Sequence, residues 1–535
     1  MFADLHCHAH MRSYLCLCQK RASMEQEGKY HPWTIIATNM SRLKHVDRAA
    51  GYSQSDLVTL WNGGSRLIFN SLYPIEKGFF KTAAEPTMGK YQLIRKVLRI
   101  ATHHKMPLRA LMQHLTMRIP TQTIDYIVSD DYDYWAFLQD EYRYIASKSG
   151  IKTKNEVHTL GLARKVLENN ERRRVKYADY YHAEGTYQIP RNRAEAAEIA
   201  KQNQEVMMMA LTIEGAHIFG ATEETEQTVL ERVDFIKKEW EYPLFFITYS
   251  HHFDNGLCGH SHSFPEIAAF LLNQEKGMNA GFTALGWKVI RKLLAVDKDN
   301  NAAPEEGYRI LIDLKHMSAQ GRKEYYNQLV LPCLEKGDVI PVIASHCAYA
   351  GRKTLDELID LQDEEDDSFR LTTEEGAFYA WNINVCDEDI QMIYKTGGLF
   401  GLSFDKRMLG VSSKKREEKV EQINNIQALW NNLKAVLSVI YNDEKLTITE
   451  KNKAWDILAI GTDFDGYIDP ISDYKTAIQL PQFKKDLLAI IKKEAGQDNP
   501  PACVAHFDAH FTPELVVDKI CYDNALAFTL RHYPR

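Results

Sequence analysis

Eight short, near-continuous apolar runs recur along this 535-residue chain and limit its fold more than any other feature. They are Phe2–His8, Ser65–Tyr73, Met207–Glu214, Leu244–Ser250, Arg309–His316, Val339–His346, Gly397–Phe404 and Asp456–Asp463. Most are separated by amphipathic segments such as Gly286–Leu294 and Gln320–Leu334. Runs that are apolar on both faces read as strands of a parallel sheet covered by helices. Eight such strands close a barrel, so the expected fold is an α/β (β/α)8 barrel.

Between the second and third strands the rhythm breaks. Residues 1–74 and 206–535 are expected to form the barrel, and residues 75–205 a large, mostly helical insertion serving as a lid or an interface. Within it, Lys90–Arg118 holds seven basic residues and no acid, which reads as a solvated helix face. Asp125–Tyr144 is aromatic and acidic, suiting a lid, a packed subdomain or an oligomer contact. A smaller insertion, Gly351–Trp381, carries the acidic run Asp363–Asp367, and Ser412–Val420 reads as a solvated helix start.

Composition narrows the partners. A net charge of -7 over this length suggests neither nucleic acid nor a membrane surface as a partner. No apolar run approaches the roughly 18 residues of a membrane-spanning helix. Nine scattered cysteines form no disulfide framework, so a reducing compartment and a cytoplasmic location are expected. A small-molecule substrate is the expected partner, with a homo-oligomer left open.

The chemistry lies where the runs end. His6 and His8 stand two apart on a strand and therefore share a side. Glu214 ends the third run, followed by Gly215, and His316 and His346 end the fifth and sixth. In barrels of this kind catalytic residues sit at the C-terminal strand ends. A buried carboxylate there is costly unless it is paired or metal-bound. Any one of these histidines alone reads best as a satisfied core residue. Together with Glu214, the five ligands suit two divalent ions, zinc first, with manganese, iron or cobalt as alternatives. Two such ions can share a hydroxide and polarise a carbonyl. Asp463, in Gly461-Thr462-Asp463-Phe464-Asp465-Gly466, is the candidate proton shuttle. His251, with His252 next to it, is the candidate donor to an oxyanion and contact to the substrate.

The ordered set LTIEGAH, FFITYSHHFDN, LIDLKHMS, VIASHCAY and IGTDFDG resembles peptidase family M19, the membrane or renal-type dipeptidases of the amidohydrolase superfamily. Asp56-Leu57 with Gly63-Gly64, and Asn384-Val385-Cys386-Asp387, add to the likeness, which covers about residues 1–74 and 207–470. The resemblance implies a binuclear zinc hydrolase cleaving dipeptides. It implies His6, His8 and Glu214 on one metal, and Glu214, His316 and His346 on the other. It further implies His251 against the substrate and Asp463 as the shuttle. Two departures stand out. The family's usual His-x-Asp is His6-Cys7-His8 here, and its carboxylate-gripping arginine is replaced by Ile383, leaving Arg352 or Lys353 as substitutes. The alternatives are a phosphoesterase, since Asp4–His8 also resembles the start of histidinol-phosphatase-like barrels, and a barrel turned non-catalytic scaffold.

Overall fold

The structure is a computed structural model. It describes residues 1–18, 31–37, 53–80, 121–159, 182–202, 204–264, 272, 274–361, 370–373, 376–410, 425–466 and 468–535. The basic run 90–118, the acidic run 363–367 and the run 412–420 lie outside the described residues.

All eight expected strands form. They are β1 (Phe2–Cys7), β2 (Ser65–Leu72), β3 (Met207–Glu214), β4 (Leu244–Thr248), β5 (Leu311–Asp313), β6 (Ile343–Cys347), β7 (Leu399–Leu402) and β8 (Leu458–Ile460). Each pairs in parallel with the next in sequence order. The ends meet as well. Cys7 bridges Phe464, the Asp463 amide donates to the His6 carbonyl at 3.0 Å, and the His8 amide to the Phe464 carbonyl at 3.2 Å. Asp4 strengthens this seam by accepting from the Thr462 amide (2.9 Å) and hydroxyl (2.6 Å). The protein is a closed (β/α)8 barrel.

Strand alternation sorts the apolar side chains into two cores. Ala3, Leu5, Leu67, Phe69, Met208, Ala210, Phe246, Leu311, Ile343, Leu399 and Ala459 pack inside the barrel. Phe2, Ile68, Met209, Leu211, Ile213, Ile247, Ile312, Leu402 and Ile460 pack outward beneath the helices. The interior is plugged at its base by Tyr522, Ala525, Phe528 and Tyr533 of the C-terminal segment, with Ala196 and Ile199. The Tyr533 hydroxyl donates to the Pro190 carbonyl, and the Arg193 amide to that of Pro534. An apolar base leaves the polar ends of the strands at the other mouth.

The stretch 75–205 contains helices Thr121–Val128, Tyr134–Ala146 and Arg193–Lys201, and also short strands. Glu156–Thr159 pairs with Thr34–Ala37, Thr153–Lys154 with Glu184–Gly185, and Tyr187–Gln188 extends alongside Met207–Met208. The β-forming residues Thr34-Ile35-Ile36 of the β1–β2 connection supply an edge for this extra pairing. Helix Tyr134–Ala146 is anchored to the barrel by Glu141. That carboxylate meets His10 Nε2 at 2.9 Å and accepts from the Tyr73 amide at 3.0 Å. An aromatic cluster of Tyr14, Tyr73, Phe79, Phe80, Tyr132 and Phe137 fills the seam. No described helix is long and apolar enough to cross a membrane, and no disulfide is found among the described cysteines.

The base plug has a pH-sensitive member. His532 closes helix Asn524–His532, its ring 4.6 Å from Phe528 and its Nε2 buried without a partner. Burial first, then Arg531, Arg193 and Arg309, lower its pKa from 6.5 to about 4. Between those values the unfolded chain binds the extra proton, so this group makes stability fall as the pH falls through that window. Thermal unfolding followed from pH 7 to 4 is expected to show a shallower loss of stability in His532→Phe than in the parent chain.

Candidate metal centre

Period-two alternation along β3 carries the interior face from Met208 and Ala210 through Thr212 to Glu214, so the carboxylate tops the barrel's inner wall. Gly215 follows with φ 97°, where a Cβ would lie 2.3 Å from His217 Nδ1; only glycine fits this exit. The two β1 histidines reach the same carboxylate. Strict alternation from Leu5 would turn His6 outward, but the β1–β2 register shifts between Asp4 and Cys7. Such irregularities re-aim side chains next to functional sites. A second shift, between Ala344 and Cys347, accompanies His346 on β6.

Five imidazoles surround Glu214. His6 Nε2 lies 3.3 Å, His251 Nε2 3.4 Å, and His316 and His346 Nε2 each 3.7 Å from Oε1, while His8 Nε2 is 3.1 Å from Oε2. Asp463 approaches from β8, with Oδ1 3.8 Å from His6 Nε2 and Oδ2 3.9 Å from His346 Nε2. His6, Glu214, His346 and Asp463 offer atoms within 4.8 Å of one another, and His251, His252 and His316 do likewise. His316 (φ 65°) and Asp463 (φ 59°) adopt left-handed backbone, a strain that clusters at functional sites.

The rings are held from behind. His8 Nδ1 faces the Ser71 carbonyl at 3.2 Å. His346 Nδ1 pairs with Ser345 Oγ at 2.8 Å, and that hydroxyl donates to Asp313 at 2.6 Å. His251 Nδ1 pairs with Glu76 at 2.5 Å, and His252 Nδ1 with Ser263 Oγ at 2.6 Å. Outer partners of this kind fix ring orientation and leave the other nitrogen for a metal or substrate. The loop bearing His251 is latched by Asn255, whose side chain donates to the Tyr249 carbonyl and accepts from the Leu257 and Cys258 amides.

Burial and charge set the protonation states. Burial raises the Glu214 carboxyl, but His251 and His6 outweigh it and hold the group well below the usual carboxylate range. Burial and then the Glu214 anion push Asp463 well above that range. Burial lowers His6, and carries His316 and His346 well below the ordinary imidazole value. For His251 burial is overcome by Glu214 and Glu76, giving about 10. The lowered imidazoles of His6, His316 and His346 beside one anionic carboxylate form the kind of donor set that divalent ions such as zinc prefer.

The buried orphans fit the same group. Nε2 of His6, His8 and His346 have no hydrogen-bond partner, despite the 3.1 Å approach of His8 to Glu214. Unpaired buried nitrogens cost stability, and a cation beside Glu214 satisfies them.

Three residues absent from the sequence reading belong here. Glu76, four residues past β2, orients His251. Its only signal is an acid soon after a strand end, in what reads as the start of the insertion. Asp313 sits on the interior face of β5 and accepts from Thr248 and Ser345. Lys315, two residues further on, is buried within reach of the Asp463 charge. Asp465, by contrast, serves the turn, accepting from Ser53, Gln54 and Ser55 and pairing with Arg12. Arg352 makes no ion pair with a described residue. Its carbonyl accepts from the Asp387 amide, and its Nε is buried without a partner.

A scan against protein-family models finds no match, and neither does a search of curated proteins. Among solved structures the chain is similar to a metallo peptidase from Rhodobacter sphaeroides liganded with a phosphinate mimic of the dipeptide L-Ala-D-Ala. That pair shares 14% identity, covers 99% of this chain and 98% of the other, and has a TM-score of 0.46. It is also similar to the dipeptidase AC, a metallo peptidase of family M19, at 13% identity, with 100% and 99% covered and a TM-score of 0.47. The probable dipeptidase PvdM from Pseudomonas aeruginosa is 11% identical over 97% of both chains, with a TM-score of 0.38. The eight-stranded topology, rather than these likenesses, carries the assignment of fold.

A cation bound to the native state and not the unfolded chain adds about 2.7 kcal/mol at a hundredfold excess over Kd. Metal-stripped protein is therefore expected to gain thermal stability when zinc is returned, and Glu214→Gln to lose most of that gain, as read by calorimetry.

Proposed function

We propose that this chain is a metal-dependent amidohydrolase that cleaves a dipeptide or a peptide-like amide. The observation that carries the reading is one carboxylate, Glu214, faced by five imidazoles at the polar mouth of a barrel. Two divalent ions, zinc first, would be held by His6, His8, Glu214, His316 and His346. When bound they would polarise the scissile carbonyl and make water nucleophilic at neutral pH.

The chain's own groups do the rest. Asp463 takes the proton of the attacking water and delivers it to the departing amine, so that a poor leaving group departs as a neutral amine. Its carboxyl lies beside His6 and His346, where the nucleophile must form. His251, backed by Glu76, donates its Nε2–H to the carbonyl oxygen as negative charge accumulates there. His252, stacked on Phe264 at 4.6 Å, lines the same wall.

Metal analysis of the purified protein, followed by a dipeptide panel with a phosphomonoester in parallel, tests this reading. Amide cleavage that stops on chelation and returns with zinc is expected, with the phosphomonoester inert. Asp463→Asn is expected to lower turnover by about 10²–10⁴-fold, with metal content measured alongside. Unchanged turnover in that variant contradicts the shuttle.

A further inference from the structure

Helix Tyr134–Ala146, in the stretch between β2 and β3, turns one carboxylate into its apolar face. Phe137, Leu138, Glu141, Tyr142 and Ile145 follow helical spacing along one stripe, and all five are buried. Glu141 is 1% exposed. Glutamate is almost never buried this far unless it is paired. Here both oxygens bind the barrel. Oε1 meets His10 Nε2 at 2.9 Å, and Oε2 accepts from the Tyr73 amide at 3.0 Å.

Those two partners sit where the site residues leave their strands. His10 is two residues past His8, at the exit of β1, and Tyr73 is at the exit of β2. Asn70 of β2 ties the two exits together. Its Oδ1 accepts from the Ala9 amide at 3.0 Å, and its Nδ2 donates to His10 Nδ1 at 2.9 Å. His10 Nδ1 is then an acceptor, so Nε2 carries the proton that goes to Glu141. The Tyr73 ring stands 5.9 Å from that of His8 and 4.9 Å from that of His251. Its hydroxyl donates at 3.2 Å to Glu76, the carboxylate behind His251. One acid from outside the eight strands therefore holds the backbone beside His8 and the ring packed against both histidines.

We infer that Glu141 is a positioning residue of the metal centre, and that through it the inserted helix keeps His8 where it can ligate a cation. This rests on the metal-dependent reading above, and it gives the stretch 75–205 a share in building the site. Without Glu141 the His10 Nε2–H and the Tyr73 amide are buried donors lacking an acceptor, which the exits of β1 and β2 relieve by shifting. The alternative role is a carboxylate that only fastens the helix. Tyr142, the next residue, makes a fastening of that kind: its hydroxyl accepts from the Tyr242 amide at 3.0 Å, just ahead of β4. On the alternative, loosening the helix at Tyr142 harms the site as much as loosening it at Glu141, and that difference separates the two.

The test measures zinc affinity of the metal-stripped full chain by competition with a chelator, and the visible spectrum once cobalt is returned, whose bands report ligand geometry. Glu141→Gln keeps the size of the side chain but leaves one acceptor oxygen where two are used. It is expected to weaken zinc binding by about 10–100-fold, the usual effect of losing a partner behind a metal ligand, and to alter the cobalt bands. Tyr142→Phe is expected to leave both as in the parent chain. Circular dichroism checks that each variant is folded. Should Glu141→Gln not fold, His10→Ala breaks the same link from the barrel side and is expected to weaken zinc in the same way. Parent-like zinc affinity and cobalt bands in the folded variant overturn the inference. So does an equal weakening in Tyr142→Phe, and either result leaves the hydrolase reading standing. A parent chain that takes up neither zinc nor cobalt removes that reading and this inference together.

Discussion

One buried anion organises the functional end of this protein. Glu214 is 3% exposed, at the top of an otherwise apolar barrel wall, and the histidines gathered about it come from β1, β5, β6 and the turn after β4. An uncompensated carboxylate in such a place would shift its pKa and neutralise. Here the imidazoles keep it charged, and burial together with that charge raises the Asp463 carboxyl above the usual carboxylate range. The two acids are thus pushed apart, one kept as an anion for ligation and one kept able to carry a proton. That separation of roles is the usual mark of a working acid–base site.

The rest of the fold serves that arrangement. The apolar plug at the base and the inner ring of Leu67, Phe69, Met208 and Phe246 fill the lower barrel with apolar side chains. Above it, a layer of hydrogen bonds joins neighbouring strands through side chains: Asp4 to Thr462 across the closing seam, and Asp313 to Thr248 and Ser345 across β4, β5 and β6. These bonds fix the strand ends from which the site residues project. The stretch 75–205 reaches in as well, since Glu141 holds His10 and Tyr73, two residues beyond His8 and three before Glu76. Whatever else that stretch does, it braces the residues behind His251.

Much of this was legible in the residue order. The eight apolar runs matched the eight strands because a parallel sheet covered on both faces demands unbroken apolar stretches. Glu214 was legible through simple alternation along Met208, Ala210 and Thr212. His6 was not legible in the same way, because its inward aim depends on a register shift between Asp4 and Cys7 that no local pattern announces. Glu76 was hidden for another reason. Its partner His251 lies 175 positions away, and only the closed barrel brings them to 2.5 Å.

Anomalous diffraction at the zinc edge, on crystals soaked in zinc, tests the central claim most directly. The account requires anomalous peaks flanking the Glu214 carboxylate, within coordination distance of His6 and His8 on one side and His316 on the other. Peaks only at surface histidines, with none beside Glu214, would contradict it.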